Sequence, residues 1–85
     1  MIKIKFSKRF DRSFSKMPII VQKKALEKIK LFHLNYLHPS LKLHKLKGKL
    51  KDFYSFSIDY NFRIILKIKD SEAKFYDIGD HSIYR

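Results

Sequence analysis

The sequence predicts an α+β domain in which a helical hairpin packs on one face of a small antiparallel sheet. Three patterns lead to this prediction: an alternating apolar stretch at the start, two helix-like segments joined at Pro18, and alternating stretches after residue 52. The resulting order, β-α-α-β-β-β, stacks the elements in two layers with the helices on one face of the sheet. The other face is left for solvent or a ligand.

The chain begins with a strand and a short helix. Residues 1–6 alternate apolar side chains with lysine, as a half-buried strand does. Ser7 is a candidate N-cap, and Pro18 ends the helix that it starts. The apolar positions of this helix are Phe10, Phe14 and Met17.

A longer amphipathic helix is predicted from Ile19 to a point near Pro39, because proline disfavours helical backbone in the residue before it. Its apolar positions repeat with the helical period and share one side: Val21, Ala25, Leu26, Ile29, Phe32, Tyr36 and Leu37. Ile20, Leu31 and Leu34 lie on roughly the opposite side. They either pack against the first helix or form a groove that binds a partner, and the pattern leaves both open.

Three further strands are predicted in the second half of the chain. Residues 53–60 alternate aromatic or apolar side chains with mostly polar ones, and residues 63–69 and 73–78 form the next two strands. Asn61 supplies the first turn, and residues 70–71 supply the second. These strands form an antiparallel meander.

The middle strand of the meander assigns side chains to the two faces of the sheet. Ile64, Leu66 and Ile68 share one face and are expected in the core. Arg63 and Lys67 alternate with them, so they are expected on the face away from the core.

The charge balance indicates a polyanionic partner. The chain carries 20 lysines and arginines against 8 acidic residues, a formal charge of +12 at pH 7. So large an excess on a small body repels itself, which makes nucleic acid the first candidate partner and an anionic membrane the second. The basic residues are spread over strands and loops rather than along one helix face, so no membrane partner is predicted.

Size and composition limit the organisation and the compartment. With 85 residues, one domain covering residues 1–85 is expected. A chain this short buries only roughly two-thirds of its unfolded surface, which favours a partner that adds burial. The absence of cysteine excludes disulfides and thiolate catalysis. Without a signal-like or membrane-spanning apolar run, a cytoplasmic location is predicted.

The sequence has none of the common catalytic motifs, such as a glycine-rich phosphate loop or a His-Glu-x-x-His metal site. Its acidic residues are scattered among cations, so neither a magnesium site nor a cofactor is predicted. RNA can be cut without a metal, because its own 2′-hydroxyl attacks the adjacent phosphate. This needs one group to remove the proton, another to protonate the leaving oxygen, and cations to stabilise the charge.

Histidine suits both proton transfers because it titrates near neutral pH. His33 lies on the apolar side of the long helix, where a structural role is expected, and His38 lies in a loop. His44 belongs to a basic segment, residues 41–51, and His81 follows the last strand. These two are the candidates for acid–base chemistry.

Four segments of the second half resemble a known family. They are residues 46–48, which read Leu-x-Gly, residues 54–58 and 60–66, and residues 78–84, which read Ile-Gly-Asp-His-Ser-Ile-Tyr. Together they resemble the C-terminal half of toxins of the RelE/ParE superfamily, particularly its YafQ-like ribonuclease branch. The resemblance implies the toxin of a type II toxin–antitoxin pair, which cleaves mRNA in the ribosomal A site and is held inactive by an acidic cognate antitoxin.

The resemblance also implies roles for individual residues. His44 and His81 match two family histidines that take part in acid–base chemistry. Arg63 matches a strand arginine that contacts the scissile phosphate. Tyr84 falls within a residue of a C-terminal aromatic that positions or stacks a base.

Several lysines near the predicted sheet are the expected RNA contacts. They are Lys45, Lys47, Lys49, Lys51 and Lys67. Because phosphate contacts release counterions, binding through these lysines should weaken steeply as salt is added.

Two other functions remain open. Ser57 and Asn61 stand where the closest branch has a histidine and an aspartate. The chain therefore has fewer residues for proton transfer than that branch. One alternative is a ParE-like toxin of the same fold that inhibits DNA gyrase by protein contact and needs no histidine. The other is a non-catalytic basic RNA-binding module, which the composition supports equally well.

Overall fold

The computed structural model describes residues 1–84, which form two helices and a five-stranded sheet. The strands are β1 (Lys3–Phe6), β2 (His44–Lys45), β3 (Tyr54–Ser57), β4 (Arg63–Lys69) and β5 (Glu72–Gly79). The helices are α1 (Lys8–Lys16) and α2 (Ile19–Leu34), and 3₁₀ turns cover Pro39–Leu41, Gly48–Leu50 and His81–Tyr84. The predicted α+β class is confirmed.

The sheet has the order β1-β5-β4-β3-β2 and is mixed, which corrects the prediction of an antiparallel sheet. β1 pairs in parallel with β5, with Ile4 opposite Ala73, whereas the other neighbouring strands pair antiparallel. Alternation identifies the buried side of a strand but does not encode the direction of its neighbour. The short strand β2 lies in the basic segment, for which the sequence predicts no strand.

The predicted start of α1 is confirmed, but the helix ends before Met17, which is extended and was predicted as helical. The Ser7 hydroxyl accepts a hydrogen bond from the Phe10 amide at 3.0 Å, so Ser7 is the N-cap. The helix ends at Lys16, directly before Met17 and Pro18. The side-chain amide of Gln22 then donates to the carbonyls of Phe14 and Met17, both at 3.0 Å, and so ties α2 to the end of α1.

α2 ends at Leu34 rather than near Pro39. Asn35 leaves the helical conformation, with φ −156° and ψ 82°. Asparagine favours helix ends because its side chain competes for nearby backbone hydrogen bonds. Tyr36 and Leu37 therefore lie beyond the helix, and Leu37 is 69% exposed, although the sequence predicts both on the buried side.

Three phenylalanines from α2, β3 and β5 form the centre of the core. The ring centroids of Phe32 and Phe56 are 5.0 Å apart, and those of Phe32 and Phe75 are 5.4 Å apart. Ile64 and Leu66 of β4 are fully buried in the same cluster, which confirms their predicted face. Ile68, the third member of that face, is partly buried against the cluster.

We call the face of the sheet away from the helices the outer face. It carries buried side chains. Ser55, Ile65 and Asp77 lie on it in one register row, and all three are buried. Beside this row the register of β4 and β5 shifts, because Ile65 pairs with Asp77 while Leu66 pairs with Phe75. The shift leaves Tyr76 as the extra residue of a β-bulge.

The predicted turn between β4 and β5 is confirmed, and its conformation suggests a stabilising substitution. Asp70 and Ser71 have φ angles of 52° and 66°, the left-handed region that costs non-glycine residues energy. We expect Ser71→Gly to raise the free energy of unfolding by about 0.5–1 kcal/mol in urea titration. The matched change Ser15→Gly, within helix α1, should lower it. Equal destabilisation by both changes would contradict the turn geometry.

Candidate active site

Three of the predicted site residues meet at one end of the outer face. Arg63 begins β4 opposite Gly79, the last residue of β5, and His81 begins the following 3₁₀ turn. Nη2 of Arg63 lies 3.1 Å from Nε2 of His81. The guanidinium carbon of Arg63 lies 6.0 Å from the centre of the Tyr84 ring, and the His81 and Tyr84 ring centroids are 6.4 Å apart.

The C-terminal 3₁₀ turn, His81–Tyr84, is capped at its start and bound to the sheet at its end. At its start, the Asp80 carboxylate accepts a hydrogen bond from the Ser82 amide at 2.9 Å. At its end, the Tyr84 hydroxyl forms a 2.8 Å hydrogen bond with the buried Ser55 hydroxyl. Between them Ile83 lies so close to Gly79 that a β-carbon on the glycine would overlap its side chain.

The contact between Arg63 and His81 specifies the state of the imidazole. A guanidinium only donates hydrogen bonds, so Nε2 of His81 must accept, and a neutral ring then carries its proton on Nδ1. Nε of Arg63 is buried and makes no hydrogen bond within the described residues. A buried donor without a partner is costly, so Arg63 is held in this position at a cost in stability.

A cleft of about 480 Å³ opens beside Arg63 and His81. Its other lining residues are Lys28, Ser40, Lys42, Ser57, Ile58, Asp59 and Tyr60. Three cations therefore face the cleft, from α2, from the loop before β2 and from β4. The sequence analysis missed Lys28 and Lys42, because they are brought to Arg63 only by the tertiary fold and no local pattern marks them.

Asp59 is the acidic residue of this cleft, and it holds the turn before β4. Its carboxylate accepts hydrogen bonds from the amides of Asn61 and Phe62, both at 2.9 Å, and lies 3.4 Å from Nζ of Lys24. Partial desolvation alone would raise the pKa of Asp59, but the hydrogen bonds and the Lys24 ammonium together lower it. The carboxylate is thus ionised and committed to the turn, which presents Tyr60 at 90% exposure on the rim of the cleft.

His44 is separate from the other three predicted catalytic residues. It lies on β2 directly opposite Ser55, and so on the same face as the hydroxyl that binds Tyr84. Its Nδ1 is 3.0 Å from the carbonyl oxygen of Lys42, two residues earlier, and it makes no direct bond to Arg63 in the described chain. His33 bonds the Ile2 carbonyl at 2.8 Å, which confirms its predicted structural role.

The lysines predicted to bind RNA are all exposed, namely Lys45, Lys47, Lys49, Lys51 and Lys67. Lys47 and Lys49 line a second cleft of about 360 Å³, with Leu46, Leu50 and Tyr84. Tyr84 thus lies between two basic clefts, one on the side of Arg63 and His81 and the other on the side of these two lysines.

The predicted partner residues on α2 differ in exposure. Ile20 and Leu34 are 64% and 56% exposed, as a partner surface requires. Leu31 is partly buried against the core, so it offers less surface to a partner.

An apolar groove between the helices was not predicted. It has a volume of about 180 Å³ and is lined by Phe6, Phe10, Asp11, Phe14, Leu26 and Ile29. Leu26, one of the apolar positions of the predicted amphipathic helix, is 57% exposed in this groove. The helical period of the apolar residues does not show whether the space between two helices is filled.

Two further types of site are absent from residues 1–84. No three histidine, aspartate or glutamate side chains there lie close enough together to hold a metal ion. Neither helix in this part of the chain has the length and apolar character needed to cross a bilayer.

The packing of Ile83 on Gly79 gives a test of the turn that carries His81. We expect Gly79→Ala to displace the turn and break the Ser55–Tyr84 hydrogen bond, lowering stability by about 1–3 kcal/mol through overpacking. The imidazole resonances of His81 should shift in NMR spectra. The double change Gly79→Ala with Ile83→Ala should restore room for the methyl group and recover part of the wild-type spectrum. A Gly79→Ala protein with unchanged spectra would contradict this packing.

No protein-family model and no curated protein sequence matches the chain. Solved structures do match it. A copper-bound mutant toxin from Helicobacter pylori is 26% identical, with a TM-score of 0.73 and 100% of each chain covered. The YoeB–YefM complex from Staphylococcus aureus contains a chain 25% identical, with a TM-score of 0.74 over 95% of this chain and 98% of that one. YafQ from E. coli is 18% identical, with a TM-score of 0.72 over 99% and 98%. The resemblance is therefore confirmed, since the chain has the fold of RelE/ParE-type toxins of toxin–antitoxin systems.

Proposed function

We propose that the chain is the toxin of a type II toxin–antitoxin pair and a ribosome-dependent endoribonuclease that cleaves mRNA without a metal ion. The observation that carries the proposal is the 3.1 Å contact between Arg63 and His81 beside a cleft lined by cations. A phosphate-binding group and a proton-transfer group at one point are what attack by the RNA 2′-hydroxyl requires.

In the first step, Arg63 gives up its hydrogen bond to His81 and binds the substrate phosphate instead. The scissile phosphate enters the cleft and accepts hydrogen bonds from the Nη groups of the guanidinium. Nε2 of His81 loses its donor and becomes free to accept the proton of the 2′-hydroxyl. The oxygen then attacks phosphorus, and Arg63 stabilises the added negative charge in a partly dehydrated site.

We assign the second proton transfer to His44, on the side of the site near β2. Nδ1 of His44 is committed to the Lys42 carbonyl, which leaves Nε2 to carry a proton to the departing 5′-oxygen. The Tyr84 ring lies between the two histidines along the sheet, because its hydroxyl binds Ser55 and Ser55 pairs with His44. In this position the ring stacks against a base and fixes the phosphate relative to both histidines.

The basic clefts on either side of Tyr84 hold the RNA backbone. Lys28 and Lys42 bind phosphates on the Arg63 side, and Lys47 and Lys49 bind them on the other. Engagement of four or more cations gives a log-log salt slope on the order of −3 or steeper, which a flat salt response would contradict.

An acidic antitoxin is the proposed protein partner. The formal charge of +12 is relieved by an acidic segment, and exposed Ile20 and Leu34 offer apolar contacts, as does the groove around Leu26. Two structures with this fold bear on the proposal, since their complexes pair YoeB with YefM and YafQ with DinJ.

The proposal predicts the effect of removing either central residue. His81→Ala should lower cleavage of mRNA on programmed ribosomes by roughly two to four orders of magnitude, because it removes the proton acceptor. Arg63→Ala should cost a comparable amount through lost charge stabilisation. Both proteins should fold and bind ribosomes as the wild type does. Mapping of 5′ ends on translated mRNA measures the cleavage.

The matched control is Arg12→Ala, which removes an exposed arginine of α1 that does not line the cleft. This protein should cleave at the wild-type rate. Full cleavage by the His81→Ala and Arg63→Ala proteins would remove this site assignment. A wild-type protein that stops growth without cutting RNA would favour gyrase inhibition instead.

A further inference from the structure

A continuous set of cations and aromatic rings covers the outer face away from the cleft. Nζ of Lys67 lies 4.7 Å from the centre of the Phe53 ring, and the Phe53 and Tyr76 ring centroids are 5.2 Å apart. The guanidinium carbon of Arg9 lies 5.1 Å from the centre of the Tyr76 ring. We call these four residues, Lys67, Phe53, Tyr76 and Arg9, the aromatic strip.

A buried carboxylate fixes the geometry of the aromatic strip. Nε of Arg9 donates to the Asp77 carboxylate at 3.1 Å, and the Asp77 side chain is only 9% exposed. This buried acid holds the guanidinium against Tyr76, whose hydroxyl accepts a 3.4 Å hydrogen bond from Nη1 of Arg9. The β-bulge at Tyr76 turns the ring out of the regular pleat.

The strip remains accessible. Tyr76 is 39% exposed, the Arg9 side chain is 56% exposed, and Lys67 is exposed at the surface. Neither Phe53 nor Tyr76 belongs to the core cluster among the described residues. Interleaved rings and cations on an open sheet face suit single-stranded RNA, because bases stack on rings and guanidinium planes while ammonium groups bind phosphates.

We propose that the aromatic strip is a subsite for a nucleobase of single-stranded RNA beside the cleavage point. The proposal rests on the ribonuclease function proposed above and extends the substrate contact to a second region of the sheet. Arg63 and Lys67 are four residues apart on β4, a separation on the order of 13 Å. A short extended stretch of the same RNA strand covers this distance, so a base near the scissile phosphate reaches the strip.

The subsite recognises any base, because stacking uses the ring face and not the hydrogen-bonding edge. Arg9 and Tyr76 contact the base, and Lys67 binds the adjoining phosphate. Asp77 is a positioning residue, since it acts only through Arg9.

The test measures binding of a 2′-O-methylated single-stranded RNA of about eight nucleotides, which lacks the attacking hydroxyl, to the whole protein by fluorescence anisotropy. Tyr76→Leu keeps apolar cover over the sheet but removes the ring. We expect roughly five-fold to one-hundred-fold weaker binding, the range for loss of one stacked base. Tyr76→Phe should bind as the wild type does.

Two comparisons separate stacking from a loss of folding. Tyr36→Leu is the matched control, because Tyr36 is 36% exposed and lies past the end of α2, so it should not change affinity. An RNA of the same length without bases should bind the wild type and Tyr76→Leu equally. A Tyr76→Leu effect that persists on this base-free RNA would overturn the proposal, as would equal binding by Tyr76→Leu and Tyr36→Leu.

A second variant does not depend on the packing of Tyr76. Lys67→Gln changes an exposed side chain, and it should weaken binding and lower the salt slope by about one unit. An unchanged slope would contradict the role of Lys67 in the subsite.

Cleavage on ribosomes, assayed separately, distinguishes this proposal from the ribonuclease function. A base-dependent Tyr76 effect without any cleavage would support the subsite and contradict the enzyme. Cleavage with no Tyr76 effect would support the enzyme and contradict the subsite.

Discussion

The hydrogen bond between the Tyr84 hydroxyl and the buried Ser55 hydroxyl fixes the end of the chain on the outer face of the sheet. Through it, a four-residue turn outside the regular strands keeps a definite position, and His81 reaches Nη2 of Arg63. The Ser55 hydroxyl is buried, so it would be costly to leave without this partner. The tight packing of Ile83 on Gly79 supports the same arrangement.

Positive charge covers much of the rest of this face. Two basic clefts flank Tyr84, and the aromatic strip continues the charge towards Arg9. The buried or half-buried carboxylates nearby are each committed, Asp77 to Arg9 and Asp59 to Lys24 and its turn. Acidic groups therefore shape this surface without neutralising it, and its excess positive charge stays available to a polyanion.

Local features of the chain were predictable because local chemistry determines them. The Ser7 cap, the stop before Pro18 and the core face of Ile64 and Leu66 each follow from a few neighbouring residues. The parallel pairing of β1 was not predictable, since alternation carries no direction.

The candidate site was only partly predictable for a related reason. Arg63, His81 and Tyr84 lie on segments whose family resemblance was visible, and they meet in the structure. Lys28 lies on a helix and Lys42 in a loop, and the sequence gives no reason to expect either lysine in a site. Only the fold brings them to the cleft. The most direct measurement of the central claim is the chemistry of the product ends. Attack by the 2′-hydroxyl predicts a 2′,3′-cyclic phosphate and a 5′-hydroxyl, whereas a 3′-hydroxyl with a 5′-phosphate would contradict it.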